Sequence, residues 1–478
     1  MRSPLSLLPL LALAACTVGP DYQGPASAGA PPAPQRFARA GEAAIPAAPA
    51  VAPWWTALGD PLLDELERRA LADSPSIAIA QAKLTQARSA LRLDRANGLP
   101  NANAQLTYAH ARLPGIDLGS SGDEGEEGGG DGSSSEALNF YNLGFDASWE
   151  IDLFGGHRRT MEASRASLEA AQASVADAQV SLAAEVAGAY VHLRDRQQRL
   201  ALAEQSAARQ REVLDLTRQR QTHGTASALE VERQRSLAEQ ADAALLPLRA
   251  ERDAYLNALA VLTGQAPGAV DAMLAAPGAI PLPPATVAVG DPAALLQRRP
   301  DIRAAERQLA AATARIGVAE AARFPRISFM GLIGIGGTEP DAIFDPDNLA
   351  AIAMPRLSWN LLDFGRNAAR IGQAEGAREE AEARYRQAVL GALRDAEDAL
   401  ARYGASRQNV ASATRASHSA DRTLSLTRQR FGAGTASRID LLEAERQAMT
   451  ARQTLAQATA ALTADYIAIQ KALGLGWS

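Results

Sequence analysis

Two stretches of the chain, LTRQRQTHGTAS at residues 216–227 and LTRQRFGAGTAS at residues 426–437, are copies of one another separated by 210 positions. The same separation relates SWEIDLFGG at residues 148–156 to SWNLLDFGR at residues 358–366. A separation held over such a distance indicates an internal repeat, in which each copy is one structural unit. The chain is therefore predicted to consist of two tandem copies of one design.

A second set of markers lies nearer the start of each copy, at a separation of 225 positions. The excess of 15 residues predicts an insertion in the first copy, within the acidic, glycine-rich and serine-rich stretch at residues 115–138. This stretch has no calcium-loop spacing and too few apolar residues to order itself, so it is interpreted as an exposed loop. The markers are Pro75, Ile77, Leu84 and Pro100 in the first copy, and Pro300, Ile302, Leu309 and Pro325 in the second.

These separations set the expected domain boundaries. The first repeat is predicted at residues 61–263 and the second at residues 301–478, joined by a proline-rich connector at residues 264–300. A linker at residues 16–60 precedes them, and residues 1–15 are expected to be a signal peptide of the lipoprotein type.

Long helices are predicted in both copies, at residues 158–222 and 366–431, where the strong helix formers Ala, Leu, Arg, Gln and Glu dominate. At 1.5 Å per residue, each helix would reach about 100 Å. Small and apolar residues recur at steps of three and four, which is the heptad pattern of a coiled coil. The heptad positions are Leu200, Ala203, Ala207, Gln210, Leu214, Thr217 and Gln221 in the first copy, and Val410, Ala413, Ser417, Ala420, Leu424, Thr427 and Phe431 in the second.

Each long helix meets a glycine followed by threonine before a new helical run begins. These pairs are Gly224 and Thr225 in the first copy, and Gly434 and Thr435 in the second. Glycine supplies the positive φ that ends a helix, and a following Thr or Ser caps the next helix. Each copy is therefore predicted to be an antiparallel helical hairpin with a sharp tip.

Four stretches alternate apolar and polar residues with the period of two that is typical of strands. Four strands do not close a barrel, and unpaired strand edges in lipid cost several kcal/mol per backbone group. Other subunits must complete the wall, and two copies with eight strands or three copies with twelve both satisfy this requirement. Pro355 is unfavourable within the fourth strand. The apolar positions are Leu106, Tyr108, Leu143, Phe145, Ala147, Trp149, Ile327, Phe329, Gly331, Ile333, Ile335, Ala353, Leu357 and Trp359.

The start of the chain has the features of an export signal, with Arg2, an apolar core at residues 5–13 and two alanines. The apolar core is shorter than the roughly 20 residues that a spanning helix needs. Cys16 follows directly, and the order Leu-Ala-Ala-Cys resembles the bacterial lipobox, in which the thiol is lipidated and cleavage makes the cysteine the first residue. The alternative is an ordinary secretory signal that ends near a cysteine. Cys16 is the only cysteine, which excludes an intrachain disulfide.

Composition and motifs argue against several classes of function. The net charge of −6 does not favour nucleic-acid binding. The chain has no reliable Ser-His-Asp order and no phosphate-binding loop with lysine, and its five histidines are scattered without metal-ligand spacing. We therefore expect neither an enzyme nor a protein that needs a cofactor or a metal.

The start CTVGPDYQGP, the tandem copies, the pattern SW-x-x-x-D-F-G after a strand and GTAS at the tips together resemble the outer-membrane efflux factors of the TolC type. The chain is most similar to their lipoprotein branch (NodT/OprM-like), which serves multidrug efflux pumps of the resistance-nodulation-division kind. The resemblance extends from Cys16 to about Leu473 and implies a mainly α fold with a membrane β-barrel. In the family, a homotrimer forms a twelve-stranded outer-membrane barrel and a tunnel of twelve helices that extends into the periplasm.

The resemblance also implies partners and a location. A periplasmic adaptor (a membrane fusion protein) is expected to dock at the tips, at Gly224, Thr225, Gly434 and Thr435, and an inner-membrane pump is expected to deliver the substrate. The protein would be anchored by lipid in the outer membrane through Cys16 and would act as a passive exit duct for small molecules.

Family members close the periplasmic end with acidic side chains in a segment G-T-x-x-x-x-D-x-x-D after the second tip. Here the second tip is followed by Asp440 and Glu443, which are three residues apart and so share one helix face. Taken alone, these residues also fit an ordinary solvated helix face. The resemblance favours rings of carboxylates at the narrowest point of a threefold assembly.

The cation that would hold this aperture closed is left open by the sequence. Some relatives place an arginine directly after Gly-Thr, where this chain has Ala436, with Arg438 two positions on and Arg446 one turn beyond Glu443. Both arginines are candidates for the ionic link. The first copy has only one acid at the matching positions, since Glu230 is followed by Arg233, and it is expected to contribute less to closure.

Two other functions remain open on the residues alone. One is an exit duct for protein secretion driven by an ABC transporter. The other is a structural, non-conducting coiled-coil spacer of the cell envelope.

Overall fold

The computed structural model describes residues 17–25, 36–41, 44–45, 47, 53–112 and 137–477. Cys16 and the expected signal peptide lie outside these residues, as does nearly all of the insertion at residues 115–138. The chain divides into two compact units, and each takes pieces of both repeats. The first unit comprises the segment ending at Gln23 with residues 87–167 and 309–380, and the second comprises residues 24–86, 168–308 and 381–478.

Within the described residues the chain forms ten α-helices. The two longest have 67 residues each, and their bounds agree with the predicted helices to within two residues. None of the described helices combines the length and the apolarity that crossing a bilayer requires. The helices are α1 Pro61–Asp73, α2 Pro75–Asn97, α3 Gly156–Thr222, α4 Ala228–Ala243, α5 Leu245–Leu262, α6 Asp271–Leu274, α7 Pro292–Arg298, α8 Pro300–Ala321, α9 Arg366–Gly432 and α10 Arg438–Ala472.

The helical path that returns from each tip differs between the copies. After the second tip it is the single helix α10, which has 35 residues. After the first tip, α4 ends at Ala243 and α5 begins at Leu245. Pro247 lies in the first turn of α5, and a proline lacks the N–H and clashes with the carbonyl four residues earlier. The proline therefore removes one hydrogen bond from the first path, although the backbone of Ala244 stays right-handed helical, whereas α10 contains no proline.

Six strands lie within the described residues: β1 Ala44–Ile45, β2 Asn101–Arg112, β3 Ala137–Ile151, β4 Val287–Ala288, β5 Arg326–Gly337 and β6 Leu349–Ser358. The short strands β1 and β4 pair in parallel, and the other four form an antiparallel sheet in the order β2-β3-β5-β6. The four predicted strands are confirmed, although β6 ends one residue before Trp359. Pro355 lies in an edge strand of this sheet, where proline is tolerated.

The two β-hairpins of this sheet have the same register. In the first hairpin Asn101 of β2 lies opposite Ser148 of β3, and in the second Arg326 of β5 lies opposite Ser358 of β6. The members of these two pairs are related by the separations of 225 and 210 found in the sequence. The repeat therefore extends to individual residue pairs.

The predicted alternation of apolar and polar residues holds on one face of the sheet and only partly on the other. The opposite face is polar in the first hairpin, where Asn103 donates to Asp146 at 3.2 Å. In the second hairpin that face is largely apolar, with Met330 and Met354 paired across the strands. The apolar face carries the exposed side chains of Leu106, Tyr108, Leu143, Phe145, Trp149, Phe329, Ile333 and Leu357.

The second unit holds the main hydrophobic core, centred on the fully buried Tyr190 of α3. The Tyr190 hydroxyl donates to Asp60 at 2.5 Å and accepts from Arg194 Nε at 3.1 Å. Glu67 of α1 is also fully buried, and neither of its oxygens has a hydrogen-bond partner within the described residues. Burial raises the pKa of Glu67 well above its ordinary value, by more than the nearby N–H of Ala187 lowers it. Burial therefore favours the neutral form of the Glu67 carboxyl inside this core.

Candidate functional site: the hairpin tips and the ion pairs beside them

Both helical hairpins turn at the predicted Gly-Thr pair with the same backbone geometry. Gly224 has a φ of 71° and Gly434 a φ of 72°, in the left-handed region that glycine adopts without strain. The N–H groups of Thr225 and Thr435 each donate to the carbonyl five residues earlier, at 2.8 Å in both copies. The turn itself therefore requires the glycine at each tip.

Each return helix begins with a capping box. In the first copy the Glu230 carboxylate accepts from the N–H of Ser227 at 2.7 Å, while the Ser227 hydroxyl accepts from the N–H of Glu230 at 3.2 Å. Ser437 and Asp440 make the same two bonds at 2.8 and 3.1 Å. The Ser437 hydroxyl and N–H hold the pKa of Asp440 below its ordinary value. Asp440 is thus a charged helix cap whose structural counterpart is Glu230.

Glu443 and Arg446 form an ion pair within α10. Arg446 Nη2 lies 2.5 Å from Glu443 Oε1, and its Nε donates to Oε2 at 3.0 Å. The hydrogen bond from Arg446 lowers the pKa of Glu443, so this carboxylate is charged at neutral pH. Both side chains are more than a third exposed, and an exposed pair three residues apart contributes only a few tenths of a kcal/mol to the helix.

Arg438 makes a different kind of contact, because it joins the second hairpin to the first. Its Nη2 and Nε donate to Oε1 of Glu212 on α3, at 2.6 and 3.1 Å. These hydrogen bonds lower the pKa of Glu212. Of the two arginines that the sequence leaves as candidates for an ionic link, Arg438 bonds across the two copies and Arg446 bonds within its own helix.

Further ion pairs extend this contact. Arg209 of α3 lies 3.3 Å from Glu212 and 2.9 Å from Glu445 of α10, and Arg428 of α9 lies 3.3 Å from Glu445. The Glu445 side chain is only 13% exposed, which reduces the screening of its charge by solvent. We call Arg209, Glu212, Arg428, Arg438 and Glu445 the inter-hairpin network.

Except for Arg438, the members of the inter-hairpin network were not identified from the sequence. The residue 210 positions after Glu212 is Arg422, and the residue 210 positions before Glu445 is Arg235, so the charge is exchanged between the copies at both positions. Such an exchange also occurs at residues that pair within a single hairpin and therefore does not mark a contact between the copies.

A second set of ion pairs joins the two helices of each single hairpin. Arg211 lies 2.5 Å from Asp242 in the first copy, and Arg452 lies 2.8 Å from Asp421 in the second. These pairs occupy equivalent positions with the charges exchanged. They hold each hairpin together and do not connect one hairpin with the other.

Comparison with known proteins identifies the family. The model of the family described as outer membrane efflux protein matches residues 66–265 and 292–475. This chain is a member of that family. The efflux protein is 30% identical to outer membrane protein OprJ of Pseudomonas aeruginosa over 100% of its own length and 97% of that of OprJ. It is also 30% identical to nodulation protein T of Rhizobium leguminosarum bv. trifolii, over 98% of this chain and 96% of the relative.

The solved structure of the outer-membrane channel OprN has the same fold. Its TM-score with this efflux protein is 0.84, at 32% identity, over 97% of this chain and 100% of the OprN chain. The mainly helical tandem-repeat fold is therefore that of the TolC-like outer-membrane channels. The efflux protein is a channel component located in the outer membrane, and it is not an enzyme.

Proposed function

We propose that this efflux protein is the passive exit duct of a tripartite pump, through which small molecules leave the periplasm, and that its hairpin tips form the gate. The inter-hairpin network supports this function most directly. It ties two hairpins of one chain together, and its pair of Arg438 with Glu212 is partly exposed, so a docking partner can break that pair at low cost.

The working assembly is a homotrimer with twelve strands and twelve long helical segments, built from repeats at residues 61–263 and 301–478 and the connector between them. The sheet supports this assembly, since β2 and β6 each have a neighbour on one side only among the described strands. An unpaired edge is costly in lipid. The apolar face of the sheet, with Leu106 at 71% and Phe145 at 60% exposed, suits contact with lipid.

The periplasmic aperture is formed by Asp440 and Glu443, with Arg446 paired to Glu443 and Arg438 linking the two hairpins through Glu212. In a threefold assembly each carboxylate recurs three times around the axis. Asp440 and Glu443 both have lowered pKa values, so the rings stay charged at neutral pH. Arg438 supplies the link that must break for the hairpins to separate, because its hydrogen bonds to Glu212 join the two copies.

The adaptor docks at the tips, at Gly224, Thr225, Gly434 and Thr435, all of which are exposed. Its docking competes with the inter-hairpin network and so opens the aperture. An inner-membrane pump of the resistance-nodulation-division kind supplies the substrate.

Lipidation of Cys16 anchors the protein to the outer membrane. The described chain begins one residue later, and Arg159 holds this N-terminal segment through hydrogen bonds to the carbonyls of Val18 at 3.0 Å and Gly19 at 2.9 Å. Mass spectrometry of the membrane-extracted protein should find acyl chains on a mature chain that starts at Cys16, together with three copies per assembly. An unmodified Cys16 would contradict the anchor.

Single-channel recording in planar bilayers tests the gate. Asp440→Asn combined with Glu443→Gln removes both charges but keeps acceptors for the capping box and for Arg446, so folding should be preserved. We expect higher conductance than in the unmodified protein. Absence of any conductance in either protein would contradict the duct, and equal conductance would exclude these residues from the gate. Copurification with an ABC transporter instead of a proton-driven pump would contradict the proposed partner.

A further inference from the structure

A cavity of about 380 Å³ lies within the first unit, where α2 ends, α3 begins and α8 ends, next to the end of β3 and the start of β5. Its volume is at the small end of the range of about 300–1,000 Å³ that is usual for small-molecule sites. The lining combines polar and charged groups with apolar side chains. The apolar ones are Trp149, Ile151, Phe154, Val318, Ala321 and Pro325.

Trp149 places this cavity at one end of the apolar face of the sheet. It lies two residues before the end of β3, and its ring stacks on that of Phe329 of β5 with centroids 6.5 Å apart. Its Nε1 donates to the carbonyl of Gly98 at 3.0 Å. Tryptophan is enriched where a membrane meets water, because its ring is apolar and its N–H is polar. The cavity therefore lies beside the boundary that the apolar face of the sheet sets for a bilayer.

The described chain begins next to the cavity. The N–H of Val18 donates to the carbonyl of Phe154, which lines the cavity, at 3.2 Å. A Cβ placed on the adjacent Gly155 would lie 2.7 Å from Cγ2 and 2.9 Å from Cα of Thr17, so the glycine lets Thr17 approach closely. Consecutive Cα atoms are about 3.8 Å apart across a trans peptide bond. A lipid on Cys16 would therefore start within a few ångströms of the cavity.

Arg159 of α3 holds this N-terminal segment against the junction of sheet and helices. Its side chain is 4% exposed, and besides its bonds to the two carbonyls described above, its Nη2 donates to Asp21 at 2.7 Å. A Cβ on Gly19 would collide with the Cα of Gly317, so the backbone of the segment lies directly on α8. The position from which a lipid on Cys16 leaves the chain is therefore set by these contacts and not by a free tether.

We propose that the cavity holds the glycerol and the first methylene groups of the lipid on Cys16. The inference rests on the proposed function in assuming that Cys16 is lipidated. The lipid of a bacterial lipoprotein is a diacylglycerol joined through a thioether, so it has ester carbonyls that accept hydrogen bonds and has no phosphate. His157 and Arg326 bring N–H groups to the lining, and the apolar side chains suit the methylene groups.

The charges of the lining favour this lipid over a phospholipid of the bilayer. Glu150 and Asp152 contribute two carboxylates against the single guanidinium of Arg326. The Asp152 carboxylate is in turn paired with Arg158, whose Nε lies 3.3 Å away. A phosphate group would find no surplus of positive charge here, whereas a neutral glycerol ester needs none.

Amide exchange of the full-length protein in phospholipid nanodiscs tests this site, after mass spectrometry has established the state of Cys16. The acylated protein is compared with Cys16→Ala, which is exported through a signal peptide of the non-lipidated type. Each methylene group buried raises an equilibrium constant about fourfold, so two of them should slow the exchange of the amides at residues 157–160 by at least about tenfold.

Two variants fill the cavity from different elements. Thr160→Phe in α3 and Ala322→Phe, directly after α8, each replace a lining side chain with a larger one, and either suffices if the other does not fold. In these variants the difference in exchange between the acylated and unacylated forms should disappear. Ala319→Phe is the matched control, because Ala319 lies in α8 and does not line the cavity, and it should keep the difference.

The outcomes separate the site from the anchor. An unmodified Cys16 would refute the anchor and the site together. An acylated protein whose amides exchange as fast as those of Cys16→Ala would refute the site and leave the anchor standing. Equal protection in both forms that Thr160→Phe abolishes would identify a bilayer phospholipid as the occupant, and would overturn the lipid of Cys16 as its source.

Discussion

Neutralising Glu212 should free the two hairpins from each other and favour the open channel. Glu212→Gln keeps the size of the side chain and loses its negative charge, so the bonds from Arg438 at 2.6 and 3.1 Å lose their ionic component. The two side chains are 34% and 39% exposed, so one pair contributes about 0.5–1 kcal/mol. If three copies open together, the difference is about 1.5–3 kcal/mol, and the ratio of open to closed channels rises about 10- to 150-fold.

The assay is the open probability of single channels in planar bilayers at about 0.15 M salt, where exposed pairs are partly screened. Arg438→Gln should have an effect similar to that of Glu212→Gln, and the double variant should add little, because both changes break the same pair. Asp242→Asn is the matched control, since it breaks the 2.5 Å pair with Arg211 inside one hairpin. The reasoning would be refuted if the control opened the channel equally, or if the effects of the two single variants were additive.

Three further predictions concern protonation and the turns. Arg438 lowers the pKa of Glu212, so their ion pair persists above the ordinary glutamate pKa of about 4.3 and is lost as the pH falls through the lowered pKa. The channel conductance should therefore be constant from about pH 5 to 8 and rise in stronger acid. A rise in conductance near neutral pH would contradict this. Glu67→Leu should stabilise the protein by about 1–3 kcal/mol and raise its unfolding temperature in detergent, because it removes a buried carboxyl without a hydrogen bond. Since the pKa of Glu67 is raised, its destabilising effect grows as the pH rises. An equal gain in stability at pH 4 and pH 8 would argue against a buried acid. Gly434→Ala should lower the stability of the tip by about 1 kcal/mol through its positive φ alone, since a Cβ there would have no atom within 4 Å. Gly432→Ala, at the end of α9, should not destabilise the tip. Amide exchange of the tip residues measures both effects, and equal effects would exclude the backbone cause.

Much of the fold could be predicted because each helix and strand pattern occurs in both copies of the repeat, so each copy checks the other. Helix composition and the glycine at each tip placed α3 and α9 to within two residues, and the alternation of residues placed all four strands of the sheet. The apolar residues on both faces of the second hairpin were not anticipated, because the polar residues of β5, Arg326 and Ser328, lie only at its start. A period of two describes a strand best where one face is uniformly polar.

The candidate site was predictable in position and less so in the role of each residue. Ser437 and Asp440 have the three-residue spacing of a capping box, and the structure gives Asp440 that local role whatever it does in an assembly. The pairing of Arg438 depends on which face of α3 lies beside α10, and the sequence of α10 alone does not contain this information. Comparing charges between the two copies does not supply it either, because exchanged charges also occur at residues that pair within one hairpin.

Pro247 gives the two helical hairpins different resistance to bending. The first hairpin returns through two helical segments that meet at Ala244, and the second returns through the single 35-residue helix α10. In any ring of identical subunits, the two kinds of hairpin must alternate around the circumference. The hydrogen bond that Pro247 removes makes the first kind easier to bend, so we expect a widening of the ring to begin there.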